Sequence, residues 1–123
     1  MNIASIFRPT QVAKIPSYTG SEIANAARNF SKELTSVKNT AMDKGNKTSK
    51  MYAKTEAYAN ELVKSAEKGN LKATLKNVMK LNQHSTQLFD ATSSPFTREG
   101  IHKANTERLH ILQTILNNKL SLN

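Results

Sequence analysis

Ile23, Ala27, Phe30, Leu34, Val37 and Ala41 recur at intervals of four, three, four, three and four residues. That spacing winds a narrow apolar seam along one side of a helix and does not fit the two-residue period of a strand. Just before it, Thr19, Gly20, Ser21 and Glu22 form a capping-box pattern, which predicts a helix start near residue 20. Gly45 and Asn46 supply a left-handed stop, and Lys47, Thr48, Ser49 and Lys50 are read as a turn into the next helix.

The second helix carries Met51, Thr55, Tyr58, Leu62 and Ala66 on one stripe, with Tyr52, Ala59 and Val63 beside it, and closes at Gly69 and Asn70. A third places Leu71, Leu75, Val78, Met79, Leu88 and Phe89 on its inner side. Asn82 and Ser85 interrupt that stripe, which predicts either a polar contact or a weak spot. Ser93, Ser94 and Pro95 end it and begin a fourth, because proline fits the first helical position. There Leu109, Leu112, Ile115, Leu116 and Leu120 form the richest apolar surface of the chain, opposed by Thr106, His110, Gln113 and Asn117.

No internal repeat and no hairpin signal interrupts this series. The expected fold is all-α, a small antiparallel bundle of three to four helices with an extended N-terminal tail. Two regions are expected: a flexible tail over residues 1–18, with two prolines and no helical period, and a helical bundle domain over residues 19–123. Deleting the tail is expected to leave the melting transition nearly intact.

A chain of 123 residues has room for one domain, and with 37% apolar residues and no Trp its core is short of large side chains. Stability is expected to be marginal or borrowed from a partner. The absence of Cys removes disulfides and thiolate-held metals, which suits a reducing compartment. No apolar run reaches the roughly 18 residues of a membrane span, and residues 1–18 lack the apolar centre of a signal peptide. A cytoplasmic protein, or one exported by a leaderless route, is the expectation.

Catalytic signatures are missing from the pattern. The glycines stand alone at positions 20, 45, 69 and 100, so no phosphate loop or nucleophile elbow forms. Glu99 with His102 and Glu107 with His110 have the spacing of carboxylate-bridged metal bundles, but both pairs fall on one helix. At about 1.5 Å per residue they lie roughly 12 Å apart and cannot share an ion. These four residues, and the isolated His84, are read as surface positions; no catalytic, cofactor or metal site is expected, and the protein is read as non-enzymatic.

Eighteen Lys+Arg against nine Asp+Glu leave a net charge of +9, which favours anionic partners. Lys72, Lys76 and Lys80 line one edge of the third helix, and Lys38, Lys44, Lys47, Lys50 and Lys54 surround the first turn with Tyr52 among them. Lys47, Lys50, Lys54, Lys72, Lys76 and Lys80 are therefore the anion-binding candidates. The four arginines are Arg8, Arg28, Arg98 and Arg108, too scattered for base readout, so nucleic-acid binding through the lysines would be salt-dependent and sequence-indifferent.

Two seams carry the preferred reading. Ile23, Phe30, Leu34 and Val37 on the first helix, and Leu109, Leu112, Ile115 and Leu116 on the last, are expected to pair with each other, with a second copy or with another protein. Residues 1–18 are rich in Ile, Ser, Thr and Pro; no acid precedes Glu22 and no Leu precedes Leu34. In composition this stretch, about a sixth of the chain, resembles the N-terminal signal of bacterial type III secretion substrates. A plain disordered tail, or one docking through Ile3, Ile6 and Phe7, are the other readings. The expected function is a non-enzymatic helical protein-interaction module, with a secreted effector or a helper or component of a bacterial secretion system as its specific form. The alternative is a basic, sequence-nonspecific nucleic-acid-binding protein.

Overall fold

The computed structural model describes residues 14–40, 46–92 and 94–121, without the side chains of Asn39, Thr40, Asn46 and Lys47. Four helices are present among the described residues: α1 (Ser17–Thr40), α2 (Asn46–Glu67), α3 (Leu71–Ala91) and α4 (Pro95–Asn117). Contacts pair them antiparallel throughout. Lys38 meets Glu56 and Arg28 meets Glu67 between α1 and α2, while Thr19 meets Asn118 between α1 and α4. Ser85 meets Asn105 between α3 and α4. The result is an up-down-up-down bundle in which α1 packs extensively on α2 and α4, α2 packs on α3, and α3 and α4 touch most thinly.

Ile23, Phe30, Leu34, Leu62, Leu81, Leu88, Ile101 and Ile111 are fully buried at its centre, together with Ala24, Ala27, Ala59 and Ala104. Small residues let the axes approach closely. A methyl group added at Gly100 would sit 2.5 Å from Val37 Cγ2, and one at Gly20 would collide with the Ala66 carbonyl oxygen. Both glycines are thus required by interhelical distance rather than by backbone freedom. Some buried hydroxyls are satisfied within their own helix, Thr55 donating to the Met51 carbonyl at 2.8 Å and Thr114 to the His110 carbonyl at 2.9 Å, and others across a seam, Thr74 donating to Ser65 Oγ at 3.2 Å.

The α2–α3 turn follows from two residues. Gly69 takes φ of 71°, its N–H reaches the Ala66 carbonyl at 3.0 Å, and Asn70 N–H reaches Ser65 at 3.0 Å. These are the paired bonds of a Schellman stop. Asn70 then caps the next helix, its side-chain oxygen accepting from Ala73 N–H at 3.0 Å.

Several boundaries differ from the sequence reading. Helix α1 starts at Ser17, with Gly20 N–H bonding the Pro16 carbonyl at 2.8 Å. Thr19 therefore does not cap; it is buried inside α1, and its hydroxyl donates to Asn118 Oδ1 at 3.4 Å. The folded part begins earlier than residue 19. Ile15 is buried and its N–H bonds the Gly69 carbonyl at 2.9 Å, while Lys14 bridges Asn70, so this strap is pinned to the α2–α3 turn. The rest of the expected tail, including Ile3, Ile6, Phe7 and Arg8, lies outside the described residues, as do Ala41, Lys44 and Gly45. Asn46 opens α2 rather than ending the first helix, and Lys47, Thr48, Ser49 and Lys50 are its first turns.

Candidate functional site

The two predicted seams find each other. Ile23, Phe30, Leu34 and Val37 of α1 and Ile115 of α4 are buried in one core, so five of the eight residues expected to meet a partner are consumed by the bundle itself. Leu112 is half-buried against the same core. Leu109 and Leu116 are the exception, with 49% and 75% of their surface in solvent. The sequence pattern put Leu109, Leu112, Ile115, Leu116 and Leu120 on one apolar surface, whereas the buried face of α4 runs through Thr97, Ile101, Ala104, Ile111, Thr114 and Ile115. Ile111 was missed because its stripe is continued by Thr and Ala, which carry no hydrophobic signal but are small enough to sit under α1. With that face turned inward, Leu109 and Leu116 face out, seven residues and about two turns apart.

The same effect operates on α3. Met79, expected inside, is 72% exposed, and its place is taken by Leu81 and by Ser85, both fully buried. The Asn82 and Ser85 interruption is a polar contact: Ser85 donates to Asn105 Oδ1 across the seam, and Arg108 donates from Nη1 to Asn82 Oδ1. Arg108 Nε also donates to Asn105 Oδ1 at 3.0 Å. This network occupies the thin α3–α4 seam, where a cavity of about 190 Å³ opens between Phe89, His102, Asn105, Thr106, Arg108 and Leu109.

The lysine candidates are brought together only in part. Lys50 and Lys54 on α2 line a cavity of about 240 Å³ with Met51, His84 and Gln87. His84 stacks on Tyr58 with ring centroids 4.8 Å apart. Burial holds its imidazole below the ordinary histidine range, and the Lys54 and Lys80 ammonium groups push it the same way. One lysine from each sequence cluster, Lys54 and Lys80, thus acts on His84, although of the two only Lys54 is among the residues lining the groove. Lys72 and Lys76 lie further toward the Gly69 turn, Lys72 about 12 Å along the axis from Lys80. The side chain of Lys47 is outside the described residues.

Glu107 and His110 line a third groove, between α1 and α4, where His110 Nε2 lies 3.3 Å from Glu22 Oε1. Among the described residues no three His, Asp or Glu side chains converge as metal ligands would, and no helix is long and apolar enough to cross a membrane. Compared with known proteins, the chain matches no family model, and no curated protein or solved structure is significantly similar to it.

Proposed function

We propose that the protein is a non-catalytic helical interaction module that holds a partner protein on the outer face of α4. The observation that carries this reading is the exposure of Leu109 and Leu116, on one side of a helix whose other aliphatic side chains are buried or, at Leu112, half-buried. Leaving these leucines partly in water forgoes a share of the about 1.5–3 kcal/mol that full burial of each would give, about half for Leu109 and three-quarters for Leu116, which a partner helix recovers by covering them. The net charge of +9 opposes self-association and favours an acidic partner surface around the apolar contact.

A photo-crosslinking amino acid placed at position 116, in the cells that make the protein, tests this. One discrete protein adduct, absent when the probe sits at Ala57 on α2, is the expected result. A lack of adducts, or an identical ladder from both positions, defeats the reading. Its specific form is an exported effector, or a helper or component of a bacterial secretion system, supported by the composition of residues 1–18. Fused to a reporter, those residues should direct its export, and a reporter retained in the cell removes that form.

A second reading, sequence-nonspecific nucleic-acid binding, is favoured by Lys50 and Lys54 lining the His84 groove, with Lys80 close enough to act on the same imidazole. Its affinity must fall steeply with salt and be weakened by charge reversal at Lys54 and Lys80. Binding to DNA or RNA that is undetectable at physiological salt removes it.

A further inference from the structure

Arg108 differs from the other arginine whose partner is an acid. Arg28 is paired with Glu67, but among the described residues no carboxylate lies within ion-pair distance of Arg108. Its guanidinium is partly buried, and that burial lowers its pKa with no acid to counter the effect. Arginine does not lose its proton in a protein, so the cost remains as an uncompensated positive charge. The group is also held still. Asn105 Oδ1 accepts from Nε at 3.0 Å, Asn82 Oδ1 accepts from Nη1, and Ser85 donates to that same Asn105 oxygen. Five N–H donors minus these two leave three on the guanidinium fork without a described partner.

The cavity beside the fork has a chemistry of its own. Phe89 and Leu109 give it apolar walls, His102 adds an imidazole, Thr106 lines it with a hydroxyl already donated to the Lys103 carbonyl, and about 190 Å³ of space is open between them. The Phe89 ring also carries a cation, the Arg98 guanidinium lying 4.1 Å from its centroid. A planar fork matches a planar carboxylate in two parallel hydrogen bonds, and walls of Phe and Leu suit a short hydrocarbon body. A doubly charged phosphate would lose more hydration against the same walls.

We propose that this cavity, at the α3–α4 seam, is a carboxylate-binding site in which Arg108 receives the carboxylate and Phe89 and Leu109 cover an attached apolar group. The carboxylate belongs either to a free short-chain acid or to a side chain of a docked protein. Binding of the free acid does not depend on the partner-docking reading, so the two can fail separately.

The test is a two-dimensional NMR titration of the folded full-length protein, following the Arg108 Nε–H resonance. Four probes are compared: hexanoate, its neutral analogue hexanamide, acetyl-glutamate N-methylamide as a blocked side-chain carboxylate, and inorganic phosphate. A saturable shift at Arg108, Asn105 and Leu109 with either carboxylate, at least about tenfold tighter than hexanamide and tighter than phosphate, is expected. The tighter of the two carboxylates names the source. Arg108→Lys, which keeps charge but loses the fork, should weaken binding by about tenfold with helicity unchanged. Should that variant unfold, the four wild-type titrations decide alone. Equal affinity for hexanoate and hexanamide, preference for phosphate, a linear shift without saturation, or shifts confined to the His84 groove would each overturn the proposal.

Discussion

Lys119 stands at φ of 53°, the left-handed conformation that closes α4, with its N–H on the Leu116 carbonyl and Leu120 N–H on Ile115 at 3.0 Å. A side chain in that region costs about 1 kcal/mol that glycine does not incur, so Lys119→Gly should stabilise the protein by up to about that amount in urea denaturation. An unchanged or lower midpoint would show that the Lys119 side chain offsets its own strain. His84 carries the clearest pH dependence. Its folded value lies below the ordinary 6.5, so the unfolded chain takes up this proton first as pH falls. Stability attributable to His84 is therefore complete above the ordinary histidine range and is lost through it, until the folded imidazole also protonates. The melting temperature should fall between about pH 7.5 and about pH 5, and less so in His84→Gln. His84 read as a bland surface position in the sequence, because the Tyr58 ring that stacks on it and the Lys54 charge that acts on it come from another helix.

Elements were legible to different degrees. The seam from Ile23 to Val37 is written in large side chains at strict helical spacing, and α1 buries it as the pattern predicts. The stop at Gly69 and Asn70 was likewise readable, since one residue supplies the left-handed turn and the next the cap. On α4 the buried face lies one stripe away from the apolar surface read in the sequence. Thr97, Ala104 and Thr114 are buried there, so side-chain size and the close α1 contact at Gly100 decided the inward face, not hydrophobicity. The consequence is testable within one helix turn. Ile115→Asp, at a buried position, should cost about 3–5 kcal/mol or abolish folding, while Leu116→Asp should change stability by less than about 1 kcal/mol. Similar losses from both, measured by circular dichroism in urea, would place Leu116 in the core. The three-residue error at the start of α1 has a related cause: a capping box is a local pattern, but Thr19 is drawn inward by Asn118, on the far end of the chain.

At the scale of the molecule, the expected division into tail and bundle moves toward the N-terminus. Ile15 is buried and bonded to Gly69, so removal of residues 1–18 strips a core side chain and exposes the α2–α3 turn. Loss of an Ile of this kind costs about 2–5 kcal/mol, and thermal melting of the truncated chain should show it. An unaltered melting temperature would mean that the strap contributes nothing to the fold. The interruption at Asn82 and Ser85 announced a polar contact but not its partners: at the thin α3–α4 seam Asn82 and Ser85 meet Asn105 and Arg108, with a cavity beside them. Those residues lie far apart along the chain and become a site only once two helices run antiparallel. The central claim is that this bundle is complete inside and unfinished on the outer face of α4. The lack of native cysteines permits a direct test, by rates of thiol labelling at single cysteines introduced at positions 109, 111, 115 and 116, with and without native lysate. Cysteines at 109 and 116 should label as fast as an exposed thiol and become protected in lysate, with 111 and 115 protected throughout; equal labelling at all four positions, or no protection of 109 and 116 by lysate, would contradict it.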